Sequence, residues 1–172
     1  MRTARLLLCL VMTGAAVIGS ARVLSAASQT ASLPVSVIVG NNCTITATAV
    51  AFPNYDPIVA HATTPDDSTA GAVTITCTKG TAATIGLGLG SNALVNQRRM
   101  EDASASINYI NYELYQTAAR TTVWGNASPN LFTPPVAPDK NPHSFTVYGR
   151  IAAGQDVPAG TYNDTVVATV NF

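Results

Sequence analysis

Apolar and polar residues alternate along this chain in short runs, with the two-residue period of a half-buried strand rather than the 3.6-residue period of a helix. Leu33, Val35, Val37 and Val39 fall on one face of a run over residues 33–39, and Val166, Ala168, Val170 and Phe172 share a face at the far end of the chain. Between them, β-branched alternation bounded by Gly, Pro, Asn and Asp predicts strands near 43–50, 72–78, 83–89, 107–116, 121–124 and 145–151, with a last one over 161–172. So many short strands predict an all-β domain folded as a sandwich. A half-buried strand at each end raises the question of what pairs with it, because an unpaired edge recruits another strand. The simplest partner is a strand, including one from another molecule.

Two stretches interrupt the pattern. Pro134, Pro135, Pro138 and Pro142 crowd one segment, which reads as a long connecting loop because too little chain follows it to make a second domain. A second loop over 54–70 carries Pro57, Pro65 and the Asp66-Asp67 pair. No internal repeat is visible.

The first residues read differently. Arg2 and Arg5 precede an apolar run from Leu6 to Ile18, and small residues follow to Ser25-Ala26-Ala27, which is the form of a secretory signal peptide over 1–27. A membrane anchor needs roughly 20 apolar residues, and Thr13, Gly14, Gly19, Ser20 and Arg22 interrupt this run. No membrane span is expected after cleavage. Removing Arg2, Arg5 and Arg22 leaves six of the nine Lys and Arg against nine Asp and Glu, about −3 in formal charge. That balance argues against a nucleic-acid partner, which needs a basic patch. Cys9 leaves with the signal, so Cys43 and Cys77 remain. In an oxidising compartment two cysteines most simply form one disulfide, here between residues 34 apart, which constrains the unfolded chain by about 4 kcal/mol. A metal site is the rival, but His61 and His143 lie far off and supply no ligand spacing, so no metal or cofactor is expected.

Candidate catalytic residues are few. His61 and His143 sit in polar, proline-bearing sequence and read as solvated loop histidines, with no serine, cysteine or carboxylate beside them in a recognisable motif. Gly86-Leu87-Gly88-Leu89-Gly90 lacks the Gly-x-Gly-x-x-Gly spacing and the following helix of a nucleotide loop, and reads as a strand with Ile85, Leu87 and Leu89 inward and bare glycine outward. Arg98-Arg99, followed by Met100-Glu101-Asp102, reads as an ion-paired surface turn. Glu113 and Arg150 sit inside otherwise aromatic or apolar strands and must pair if they face inward. Trp124 reads as core. No catalytic site is expected, and the protein is not read as an enzyme. Asn42-Cys43-Thr44, Asn126-Ala127-Ser128 and Asn163-Asp164-Thr165 fit the glycosylation triplet, which carries meaning only in a eukaryotic secretory route.

In order along the chain, Cys43, Phe52-Pro53-Asn54-Tyr55-Asp56-Pro57, Ile75-Thr76-Cys77-Thr78-Lys79-Gly80, Arg98-Arg99-Met100, Ile110-Asn111-Tyr112-Glu113-Leu114-Tyr115, Trp124-Gly125, Phe145-Thr146-Val147-Tyr148-Gly149-Arg150-Ile151, Gly154-Gln155 and Ala159-Gly160-Thr161-Tyr162-Asn163-Asp164-Thr165-Val166 resemble the spore coat protein U domain family. The one departure is Pro53, where the family usually carries glycine. The family is similar to the subunits of archaic chaperone-usher pili of Gram-negative bacteria. The resemblance implies an immunoglobulin-like sandwich that lacks its last strand and is completed by the N-terminal donor strand of a neighbouring subunit, a form of β-augmentation. It implies as partners other copies of the chain or related pilins, a periplasmic chaperone and an outer-membrane usher, with export to the periplasm and then to a surface pilus serving adhesion and biofilm.

On that reading, residues 28–40 are the donor segment and 41–172 the sandwich, with Leu33, Val35, Val37 and Val39 entering a neighbour's groove. Pro34 cannot donate to a ladder, so its nitrogen must face away from the acceptor or stand first in the strand. The acceptor groove is expected between the strand bearing Val166, Ala168, Val170 and Phe172 and an early strand around Cys43 to Val50. Two rival classes are a carbohydrate-binding adhesin, using Trp124 and the Pro134 to Pro142 loop, and a non-pilus coat protein.

Overall fold

The computed structural model describes residues 25–104 and 107–172, so the expected signal peptide falls, over residues 1–24, outside the described residues. The chain divides into two units, Met1–Val37 and Ile38–Phe172. In the first, the described residues form neither helix nor strand, and Leu33, Val35 and Val37 are exposed. The strand predicted over 33–39 is therefore absent. Alternation specifies a face, but a strand also needs a hydrogen-bonded neighbour.

The second unit is an all-β body with no helix among the described residues. Its strands are β1 (Cys43–Thr48), β2 (Asp66–Cys77), β3 (Thr84–Leu87), β4 (Arg98–Asp102), β5 (Tyr109–Tyr115), β6 (His143–Ile151), β7 (Tyr162–Asn163) and β8 (Ala168–Asn171). All pairings are antiparallel, in a six-stranded sheet ordered β1-β2-β6-β5-β4-β7 and a two-stranded sheet ordered β3-β8. Inward residues alternate as sandwich packing requires. Val73 and Ile75 of β2, Ile110, Tyr112 and Leu114 of β5, and Val147 and Ile151 of β6 face Ile85 and Leu87 of β3. Trp124 is fully buried, and its indole N–H donates to the Ile85 carbonyl at 2.9 Å. Cys43 and Cys77 stand opposite one another in the β1–β2 register and are joined by a disulfide.

Several strand expectations are corrected. β2 begins at Asp66, inside the stretch read as a loop, and takes a register shift between Ser68 and Gly71. Residues 121–124 contribute only a single bridge, Val123 to Tyr115. The strand expected over 161–172 is broken, because β7 pairs with β4 in one sheet and β8 with β3 in the other. Gly86 is not bare either. It is buried, and a Cβ there would lie 3.0 Å from Asn126 Cα and 3.1 Å from Leu131 Cδ2, so the segment after Trp124 packs directly on β3.

Arg98 overturns the surface-turn reading. It opens β4 and is fully buried, donating from Nε to the Gly88 carbonyl at 2.9 Å and from Nη2 to the carbonyls of Leu87, Gly88 and Trp124 at 2.8, 2.7 and 2.8 Å. Nη1 pairs with Glu113, which answers the question of that carboxylate's partner. One guanidinium thus ties β4 and β5 of the large sheet to β3 of the small one. Arg150 is held bidentately by Asp67 at 2.7 and 2.9 Å, with Arg120 3.2 Å from the same carboxylate.

The histidines are not simply solvated loop residues. His61 is half-buried and stacked on Tyr55 at 5.0 Å, and its Nδ1 accepts the Asp56 N–H at 2.9 Å. His143 opens β6 with Nε2 3.1 Å from Asp139 Oδ1. Gln155 completes an edge: its Oε1 accepts the Asn111 N–H at 2.7 Å and its Nε2 donates to the Asn111 carbonyl at 2.8 Å.

Arg98→Leu leaves Glu113 and several inter-sheet carbonyls unanswered and is expected to cost about 3–5 kcal/mol in urea unfolding. Asp66 is 3% exposed, its Oδ2 has no hydrogen-bond partner, and burial pushes its carboxyl above the usual range. A raised carboxyl favours the protonated native state, so its stabilising contribution is complete below about pH 4 and is lost as pH rises through the folded value. Asp66→Asn should therefore be more stable than the parent at pH 7 and lose that advantage near pH 3, as read by urea midpoints across this range.

Candidate functional site

An apolar groove lies between β1 and β8. β1 pairs only with β2, and β8 only with β3, so each leaves one edge without a strand. Between these edges lies a groove with a cavity of about 320 Å³. Its walls are Ala47 to Val50 on the β1 side and Val166 and Ala168 on the β8 side, and its floor is Val73, Leu87, Met100, Tyr112, Leu114 and Val147. The end of β1 thus stands beside the start of β8, and the two run antiparallel across the gap.

Sequence explains the shape. After β1 the chain turns inward at Val50 and Phe52, over two glycines on the inner faces of β2 and β6. A Cβ at Gly149 would lie 2.7 Å from Phe52 Cζ and 2.8 Å from Val50 Cγ1, and one at Gly71 would run into Val50 Cγ2. These bare positions let Val50 and Phe52 plug one end of the sandwich while the middle stays open. On the other wall the crossing from β7 to β8 is fixed by Asp164. Its Oδ1 accepts the Ser91 and Asn92 N–H groups at 2.8 and 3.2 Å, and its Oδ2 accepts the Tyr112 hydroxyl at 2.6 Å. Burial, and then that carboxylate, push the Tyr112 phenol far above its ordinary value, so it stays a neutral donor.

Of the expected groove residues, Val166 and Ala168 line the cavity, and Val170 lies further along β8, half-buried and opposite Ile85. Phe172 is 55% exposed and outside the cavity lining. Leu33, Val35, Val37 and Val39 are all at least 75% exposed. The floor residues Met100 and Tyr112 and the wall-fixing Asp164 belong to the motifs of the family resemblance but carry no groove role in the sequence reading; the inward alternation of β5 is the available signal for Tyr112 and Leu114. Trp124, weighed for sugar stacking, has no exposed face. No group of three or more His, Cys, Asp or Glu able to hold a metal exists among the described residues, and no helix long and apolar enough to cross a membrane is found among them.

The Spore Coat Protein U domain matches residues 29–169. The chain belongs to that family. Among its relatives, Protein U of Myxococcus xanthus is 39% identical over 158 residues, covering 86% of this chain and 87% of that protein. A chain of the CsuC–CsuE chaperone–tip adhesion subunit pre-assembly complex, from archaic chaperone-usher Csu pili of Acinetobacter baumannii, shares the fold with a TM-score of 0.56 at 23% identity. That likeness covers 78% of this chain, which spans 40% of the Csu chain. The Spore Coat Protein U body is thus an immunoglobulin-like sandwich, and its groove is the feature that the pairing of its own described strands leaves unexplained.

Filling the groove from within should stabilise the body alone. Ala168→Leu places added methylenes over Leu87 and Leu114, for an expected gain of about 1–2 kcal/mol in urea unfolding.

Proposed function

We propose that this protein is an exported structural subunit of a surface pilus, assembled by donor-strand exchange with a periplasmic chaperone and an outer-membrane usher, and serving adhesion and biofilm formation. The observation that carries the reading is the groove: two unpaired antiparallel edges facing one another over an apolar floor. A strand inserted there satisfies both ladders at once and covers Leu87, Met100 and Leu114.

The chain carries a segment of the matching pattern in Leu33, Val35, Val37 and Val39, all exposed. Each such side chain, once buried, contributes about 1.5–3 kcal/mol. Four of them with a backbone ladder outweigh the ordering of a short extended segment, at about 1–2 kcal/mol per residue, once both edges gain hydrogen bonds. Inserted into another copy, the segment makes a heterologous contact that does not close, and the product is a filament. Nothing in this scheme requires catalysis.

The test uses the chain from Ser28 and a version lacking 28–40, followed by light scattering and by thermal unfolding with added Ser28–Gly40 peptide. The complete form should polymerise, whereas the truncated form should stay monomeric and gain several degrees in melting temperature from the peptide. Val170→Asp, within the β8 wall, should abolish both effects, and a truncated form indifferent to the peptide would refute the reading.

A further inference from the structure

The two ends of the body differ in a way the groove alone does not explain. At the end where β1 begins, the segment entering it is clamped. The Thr78 N–H donates to the Asn42 carbonyl at 2.8 Å, Thr78 Oγ1 to the Gly40 carbonyl at 3.3 Å, and the buried Thr81 donates from Oγ1 to Asn41 Oδ1 at 3.3 Å. Beside this clamp lies a second cavity of about 210 Å³, lined by Ile75, Cys77, Ala83, Pro135, Pro138 and Phe145. Both lysines of the chain, Lys79 and Lys140, are exposed near it.

At the opposite end, where β1 finishes, a loop tip presents Ile58 and Val59 at 81% and 79% exposure. The tip is built, not loose. Asp56 Oδ1 accepts the N–H groups of Ile58 and Val59 at 2.9 and 3.1 Å, while the Asp56 and His61 main chains close the loop through His61 Nδ1 and the Asp56 carbonyl. Hydrogen bonding to those two N–H groups holds the Asp56 carboxyl below its usual value. Asp156 stands exposed in the β6–β7 loop of the same end.

The groove's direction brings these ends together. β1 and β8 are antiparallel across it, so an inserted strand is parallel to one and antiparallel to the other. Laid antiparallel to β1 it would leave at the β1 start, and the short link to the donor's own β1 would force the β1-start ends of all successive copies together, which a growing filament cannot accommodate. Laid antiparallel to β8 it enters at the β1 start and leaves at the β1 finish. Val39 of the inserted segment then lies at the Ile58–Val59 end of the acceptor. Only Gly40–Asn42 separate it from the donor's own β1, and three residues span at most about 10 Å. The clamped end of the donor copy must therefore stand against the Ile58–Val59 end of the acceptor.

Resting on the donor-strand reading above, we propose that consecutive copies make a second contact: the Ile58–Val59 tip of the acceptor seats in the Pro135–Phe145 cavity of the copy whose segment it holds. The contact joins an exposed aliphatic knob to an apolar hole, flanked by acidic groups on one side and lysines on the other. It makes the joint between copies stiff, since the connecting residues are already hydrogen-bonded to Thr78 and Thr81.

The experiment uses the chain from Ser28 and the version lacking 28–40. Ile58→Asp with Val59→Asp in the version lacking 28–40 should bind the Ser28–Gly40 peptide as that version's parent does, yet in the chain from Ser28 its fibres should dissociate about tenfold faster on heating. A chain carrying Val59→Cys and Pro138→Cys should give a ladder of covalent oligomers with a short bis-maleimide, while Thr46→Cys with Pro138→Cys, which places one thiol on the outer face of β1, should not. Peptide binding with unchanged fibre dissociation and no Val59–Pro138 ladder would overturn the contact and leave the groove reading standing. Failure of the parent lacking 28–40 to bind the peptide would overturn both. Should the double aspartate variant lose peptide binding, the cross-linking ladder alone decides: its presence supports the contact and its absence overturns it.

Discussion

Two facing strand edges that do not pair with each other govern this body. β1 and β8 are each hydrogen-bonded on one side only, and the gap between them is floored by side chains from both sheets. An apolar floor open to water is costly, and the unpaired edges beside it are templates for another strand. The remainder of the fold keeps that gap from collapsing. The Cys43–Cys77 bond fastens the start of β1 to β2, and Val50 and Phe52, admitted by Gly71 and Gly149, wedge its far end. Asp164 holds the approach to β8 through main-chain N–H groups of Ser91 and Asn92.

Arg98 is the complementary device. A sandwich whose second sheet has only two strands offers little surface for the sheets to grip, and a buried charge is an expensive way to join them. Here the charge is answered by Glu113 and by carbonyls of Leu87, Gly88 and Trp124, which no strand claims fully. The guanidinium therefore does in the interior what further ladder bonds would do in a complete sheet. It fixes the separation of the sheets, and with it the depth of the groove.

The all-β character, the strands around Cys43, Ile75, Ile110 and Val147, and the core position of Trp124 were legible from alternation and turn residues. Arg98 was not, because Arg-Arg-Met-Glu-Asp carries no apolar period and its partners lie 10 to 26 residues away. The early start of β2 was hidden by Asp66-Asp67: Asp66 is buried beside His61, and Asp67 pairs with Arg150 and Arg120 from other parts of the chain. The run over 33–39 shows the converse: its pattern is that of a strand, yet it forms none here, since pattern sets a face and only a partner supplies hydrogen bonds. Of the four residues that the family pattern named for one groove wall, Val166 and Ala168 line the cavity and Val170 and Phe172 do not, whereas the floor depends on which inward residues the two sheets leave uncovered, and no local pattern carries that.

The Gln155 side chain bears on a different hazard. Its amide mimics a peptide group, occupying both the N–H and the carbonyl of Asn111 where β6 no longer covers β5. β7, at the far edge of the same sheet, is only two residues long. A protein with sticky edges at several places nucleates amorphous aggregates as readily as ordered ones. On the proposed donor-strand reading, blunting these sites while the β1–β8 gap stays open channels self-association into one geometry, so that crowding raises the rate of orderly growth rather than the number of ways to misassemble.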